Sequence, residues 1–302
     1  MSNLGVNIAG VEFKNPVMTA SGTFGSVGKE FESFIDLSSL GAIVVKGISL
    51  DAWDGNNSPR IAETYGGMLN SVGLQNDGVD NFIQNDMKFL KKHNTNIIVN
   101  IAGKTVDEYK EVARRLNDTD IDMIELNISC PNVKEGGVAF GTNALMAQRI
   151  TKEVKSVTNK PLIVKLSPNV TDITEIARAV ECGGADCVSM INTLIGMKID
   201  IHKRKPVLFN KIGGLSGPAI KPVAIRMVHQ VSKSIEIPII GMGGIMTGED
   251  AIEFIMAGAT GVAVGTANLI NPTATMDVLD GIKEYMNKYN IEDLSSIRGI
   301  ID

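Results

Sequence analysis

Cysteine is scarce in this chain: 302 residues hold three, Cys130, Cys182 and Cys187. An odd number without CxxC spacing indicates neither a disulfide framework nor a zinc site. A reduced, cytoplasmic setting is the expectation. Positive charge is also in short supply, since 29 Lys and Arg face 34 Asp and Glu for a formal net charge of -5. No overall field gathers nucleic acid or an acidic membrane surface. Apolar runs of membrane-spanning length are missing. Met1 to Phe13 have neither a basic stretch nor a long apolar one, so no secretion signal is expected and the chain reads as soluble. Internal repeats are missing as well.

What is present is the material of an α/β protein. Hydrophobic residues make up 44% and charged residues 21%, the balance of a globular enzyme-like chain. The 31 glycines cluster where tight turns end strands. Near-continuous apolar runs suited to parallel strands buried on both faces occur at Pro16–Ala20, Gly41–Lys46, Asn96–Ile101, Asp122–Asn127, Pro161–Leu166, Asp186–Ile191, Ile237–Gly241 and Gly261–Val264. Helix signals fall between them. Thr105 and Glu108 form a capping-box pattern ahead of Val106, Tyr109, Val112, Ala113 and Leu116. Thr171 or Asp172 caps a stripe of Ile173, Ile176, Ala177 and Val180, and Ile220 to Val231 repeat at helical spacing. Asn271-Pro272 supplies a cap and first-turn proline for the last helix.

Eight strands alternating with helices and no linker between them predict one (β/α)8 TIM barrel spanning residues 1–302 as a single domain, with a doubly wound open sheet as the alternative. Leu4–Ile8 and Val11–Phe13 around Ala9-Gly10 read as a hairpin closing the barrel's bottom. The connections 47–95 and 192–219 exceed ordinary βα loops, and loops of that length are usually functional. The one dense basic run, His202-Lys203-Arg204-Lys205, reads first as a solvated turn and second as a lid or docking edge.

Chemistry concentrates at strand ends. Met123-Ile124-Glu125-Leu126-Asn127-Ile128-Ser129-Cys130-Pro131-Asn132 runs from an apolar strand into amide, hydroxyl and thiol groups, which puts Cys130 on a loop at a strand's carboxyl end, where barrels hold their chemistry. A loop cysteine is otherwise an inert small side chain. Cys182 and Cys187 read as packing residues. Strand seven ends in Gly241-Met242-Gly243-Gly244-Ile245 and strand eight in Gly265-Thr266. Two glycine turns at those two strand ends suit a phosphate held by backbone N–H groups, whereas a lone one would be ordinary turn chemistry. Lys165, inside Ile163-Val164-Lys165-Leu166, needs a polar or charged partner if buried, the alternative being a lysine that snorkels to water. Asn127 ends a buried strand, where an unpaired amide is costly.

These segments together resemble the dihydroorotate dehydrogenases over essentially the whole chain. The resemblance implies an FMN held by Ser21 and Gly22, Lys46, Gly47, Asn100, Asn127, Lys165, Ile191, Gly217, Gly243, Gly244, Gly265 and Thr266. It implies dihydroorotate bound by Lys46, Asn70, Ser71, Val72, Gly73, Leu74, Asn127, Asn192 and Thr193. Cys130 is then the base that takes the C5 proton, and Lys165 the cation at the pyrimidine edge of the flavin. Quinone-using members carry an amino-terminal extension and a serine base, so the resemblance is to class 1. The segments Ser21 to Gly25, Gly41 to Gly47 and Gly213 to Pro218 are similar to class 1B.

That branch implies NAD+ as final acceptor, reached through an electron-transfer subunit carrying FAD and an iron–sulfur cluster, around a homodimeric core within a heterotetramer. Three scattered cysteines cannot ligate a ferredoxin-type cluster, and no G-x-G-x-x-G follows the first strand. The readings left open are a class 1A enzyme that reduces fumarate directly, a non-redox phosphate-binding barrel such as an isomerase or lyase, and a catalytically dead binding module.

Overall fold

The computed structural model describes residues 3–129 and 140–302. All eight expected apolar runs are strands, mostly trimmed at their ends: Val17–Thr19, Ala42–Val44, Asn96–Ile101, Met123–Asn127, Leu162–Lys165, Cys187–Met190, Ile239–Met242 and Gly261–Val264. They pair in parallel in chain order, and the eighth closes on the first through Val262 beside Val17 and Val264 beside Thr19. Closure rules out the open doubly wound sheet. The architecture is a (β/α)8 barrel.

Strand side chains alternate between two environments, as the two-residue period demands. Ile97, Val99, Ile124, Leu126, Leu162 and Val164 pack outward into the large apolar layer under the helices. Ile98, Met123, Ile163, Cys187 and Ile240 point into the barrel, where Met18 joins them. The amino-terminal hairpin, Val6–Ile8 against Val11–Phe13, turns through Ala9 and Gly10, both at positive φ as a two-residue hairpin turn needs. Its Ile8 and Phe13 plug the lower end of that interior cluster. The expected bottom closure is therefore present.

The helices confirm the periodic stripes and correct some of their ends. Val106–Leu116 buries Tyr109, Val112, Ala113 and Leu116. Thr105 accepts from the Glu108 N–H, but the Glu108 carboxylate accepts from Lys104 N–H, one residue outside the reciprocal box. Asp172 is the cap chosen for Ile173–Cys182. The full reciprocal box forms instead at Thr247 and Asp250, ahead of Gly248–Met256. The last helix, Ala274–Lys288, starts later than Asn271-Pro272 suggested. Asn271 Oδ1 accepts from both Thr273 N–H and its hydroxyl, so it closes a turn before the helix rather than capping it. Ala144–Lys155, with Asn143 as cap, is a further helix the stripe reading did not single out. Cys182 is exposed on its helix, so its reading as a packing residue fails, while Cys187 is fully buried.

The two long connections do not hang separately. Ile61–Thr64 and Gly67–Asn70 from the first pair with Leu194–Met197 and Ile212–Ser216 from the second in one four-stranded antiparallel sheet. Asn70 lies opposite Gly214 and Met68 opposite Ser216. The basic run His202 to Lys205 is an exposed turn of a separate two-stranded ribbon, with Asp200 accepting the His202 and Lys203 N–H groups. Its solvated reading holds. Among the described residues no helix is long and apolar enough to cross a membrane.

Candidate active site

The upper interior of the barrel changes from hydrocarbon to polar groups. Continuing the interior register of strands three to six gives Asn100, Glu125, Asn127, Lys165 and Ser189, each at most 5% exposed. Above them opens a cavity of about 230 Å³. Asn100, Asn127 and Lys165 form part of its floor. Buried polar groups need partners, and these have them. Lys165 Nζ donates to Ser21 Oγ at 3.0 Å and sits 4.0 Å from Glu125 Oε2. Asn127 Nδ2 donates to Asn100 Oδ1 at 3.3 Å, and Asn127 Oδ1 accepts from the Ser129 hydroxyl at 3.0 Å. Asn192 Nδ2 donates to Ser129 Oγ at 2.7 Å. From behind, the Tyr109 hydroxyl donates to the Asn127 carbonyl at 2.8 Å, tying helix Val106–Leu116 to the strand end.

Of the residues singled out in the sequence, the cavity wall gathers Ser21, Gly22, Lys46, Gly47, Asn70, Val72, Gly73, Leu74, Ile191, Asn192, Thr193, Gly217, Gly243, Gly244, Gly265 and Thr266, besides the floor residues. Ser71 is set back from this wall; its hydroxyl accepts from Asn56 and Asn210 instead. It braces the loop. Cys130 lies outside the described residues, while its chain neighbour Ser129 is buried in the network just described.

The two sides of the cavity differ in chemistry. Strands seven and eight lie across the closed barrel from strands three and four. On their side the wall is largely main chain. Gly243 and Gly244 have φ of 130° and 83°, and a Cβ on Gly244 would lie 2.8 Å from the Gly217 carbonyl. Only glycine lets these two loops meet so closely. Thr266 Oγ1 donates to Ser216 Oγ at 2.8 Å, tying the loop after strand eight to the same place. Backbone N–H groups of such turns suit a phosphate, and the nearby Lys165 ammonium suits a ring that gains negative charge. These groups fit a phosphorylated flavin.

The opposite side carries amides and a cation. Lys46 lies half-buried, and burial, reinforced by the positive charge of Arg60, holds its ammonium below the ordinary lysine value of 10.5. Asp77 and Glu30 oppose that shift. A lysine short of compensating charge is ready to pair with an incoming carboxylate. Thr193 lies against Gly214, which pairs with Asn70 in the four-stranded sheet, and Asn169 steadies Thr193 by donating to its carbonyl and accepting from Ile195 N–H.

Sequence reading missed Glu125, Ser189, Asn169 and Met68. Glu125 left a signal: counting back two from Asn127 in Met123–Asn127 puts a charge on the same interior face. Met68 and Asn169 left none: the pairing of the two long connections brings Met68 to the site, and Asn169, in the loop after strand five, is tied to it by its bonds to Thr193 and Ile195.

A closed (β/α)8 barrel with a glycine-lined anion side, a buried lysine on the floor and an amide-rich opposite wall defines a cofactor-dependent barrel enzyme of the flavin-binding kind. The chain belongs to the dihydroorotate dehydrogenase family, whose model matches residues 3–286. It is 67% identical over 297 residues to a protein of Alkaliphilus metalliredigens named dihydroorotate dehydrogenase B (NAD(+)), catalytic subunit, covering 98% of each chain. Proteins of the same name from Lachnoclostridium phytofermentans and Geobacter sp. are 60% and 54% identical, each match covering 99% of this chain and at least 98% of the relative. Membership implies a flavin cofactor.

Proposed function

We propose that this chain is the FMN-bearing catalytic subunit of an NAD+-linked dihydroorotate dehydrogenase, oxidising dihydroorotate to orotate for pyrimidine synthesis. The observation that carries the reading is the cavity itself. It places Lys165 on the floor, glycine main chain on one side and Lys46 with asparagines on the other.

Lys46 pairs with the substrate carboxylate. Asn70, Asn127, Asn192 and Thr193 meet the ureide N–H and C=O groups, since an asparagine amide donates and accepts at once. Val72, Gly73 and Leu74 form the loop beside the substrate, steadied by Ser71. Gly217, Gly243, Gly244, Gly265 and Thr266 take the FMN phosphate, while Ser21, Gly47, Asn100 and Ile191 border the ring. When bound, FMN accepts the hydride from C6 of the substrate. Cys130 removes the C5 proton; its chain neighbour Ser129 is held by Asn127 and Asn192. Lys165 offsets the negative charge that arrives with the hydride.

The electrons leave through an electron-transfer subunit bearing FAD and an iron–sulfur cluster. Two catalytic chains form the core of a cytoplasmic heterotetramer, and residues 1–302 act as one FMN-binding domain. The test is a steady-state assay of the purified flavin-containing chain with dihydroorotate. It is expected to reduce an artificial dye alone but NAD+ only with the partner subunit present. Turnover with fumarate as sole acceptor, or colourless protein that takes up no FMN, would overturn the reading.

A further inference from the structure

Glu125 lies beneath the cavity floor and is absent from its wall. At 2% exposure, a carboxylate here costs several kcal/mol unless its charge and lone pairs are met. Both oxygens are met: Oε1 accepts from the Ser189 hydroxyl at 2.6 Å and Oε2 from Asn100 Nδ2 at 2.5 Å. Lys165 Nζ stands 4.0 Å from Oε2 and completes its own contacts on Ser21. Asn100 in turn accepts from Asn127 Nδ2. One carboxylate therefore holds two branches, one ending at the floor lysine and the other at the floor amide beside the substrate wall. A simple packing role would not call for a charge at this depth, because the neighbouring interior positions Ile163 and Cys187 fill the same barrel with hydrocarbon and thiol.

We propose that Glu125 is a positioning residue that sets both the placement and the effective charge of Lys165 under the flavin, and through Asn100 the orientation of Asn127. This rests on the proposed FMN reading. Its negative charge partly cancels the lysine field felt at the ring, so removing it leaves Lys165 more strongly electropositive and favours the reduced, more negative cofactor. The Asn100 branch predicts a second consequence: loss of the carboxylate frees that amide to turn, which loosens Asn127 and weakens substrate binding.

The experiment compares parent and Glu125→Gln holoprotein by anaerobic redox titration of bound FMN and by orotate titration of the flavin spectrum. Glu125→Gln keeps shape and removes charge. The expected result is a tenfold shift in the oxidised-to-reduced equilibrium, about 30 mV upward for a two-electron couple, with weaker orotate binding. A midpoint unchanged or moved downward overturns the proposal, since a residue serving packing alone would not raise it. If the single variant does not fold, the pair-neutral Glu125→Gln with Lys165→Met leaves neither charge alone. Recovery of folded protein there supports the coupling, and failure to recover contradicts it. Parent protein that binds no FMN refutes the functional reading itself, which separates the two failures.

Discussion

Along four neighbouring strands the barrel interior changes character within a single two-residue step. Ile98 gives way to Asn100, Met123 to Glu125, Ile163 to Lys165 and Cys187 to Ser189. Each upper residue sits about 6.6 Å along the strand from its lower partner. The lower set meets Ile8 and Phe13 of the hairpin in a dry plug. The upper set forms hydrogen bonds under an open cavity. One backbone thus supports two kinds of interior: hydrocarbon that holds the barrel closed, and a polar layer that serves the ligand.

The comparison is sharpest when chemistry is removed from the top without disturbing the bottom. Cys130→Ala is expected to retain FMN but to slow flavin reduction by dihydroorotate about 10²–10⁴-fold, the usual worth of a positioned base. Stopped-flow reduction measures this, with exposed Cys182→Ala as the control that behaves as the parent. Equal losses in both variants would remove the case for a special thiol.

The reverse experiment is Ile163→Ala, two residues below Lys165. It opens a cavity in the plug and should cost about 2–5 kcal/mol of stability in urea unfolding. Protein that stays folded should keep its flavin spectrum. Loss of the cofactor at full stability would mean that the two halves are not separable.

Lys46 gives the pH dependence. Its ammonium titrates below 10.5 in the folded chain because of burial and Arg60. Between that lowered value and 10.5 the unfolded chain binds more protons, so this group's contribution to stability rises with pH across that window. Ligand binding has the opposite sign. Orotate affinity should fall as pH rises through the lowered value, because the cation that meets its carboxylate is lost. Lys46→Met should flatten that arm of the binding curve, and an unaltered arm would take the role from Lys46.

A smaller effect is expected from Tyr109→Phe. The change removes the bond to the Asn127 carbonyl and should cost about 1 kcal/mol of stability. Thermal unfolding measures it.

Much of this contrast was readable from the chain. The eight strands were visible because parallel strands buried on both faces are apolar throughout, and the strand-end glycines marked the anion side. Asn127 and Lys165 stood out as polar residues where burial demands a reason. Glu125 was within reach of the same two-residue count. The four-stranded sheet was not, because Gly67–Asn70 and Ile212–Ser216 are far apart in sequence and neither carries a signal for its partner. Helix ends were also set by local competition: Asn271 satisfies Thr273 rather than the following helix, and Glu108 reaches Lys104. Ser71 shows the limit of position alone, since its neighbours Asn70 and Val72 face the cavity while its own side chain braces Asn56 and Asn210.

The most direct measurement is an anaerobic titration of the purified FMN-loaded chain with dihydroorotate, followed by its visible spectrum. Stoichiometric bleaching of the oxidised flavin, with orotate formed in equal amount, is the predicted result. A spectrum that stays oxidised under excess dihydroorotate would contradict the claim that the polar upper barrel brings this substrate and a flavin together.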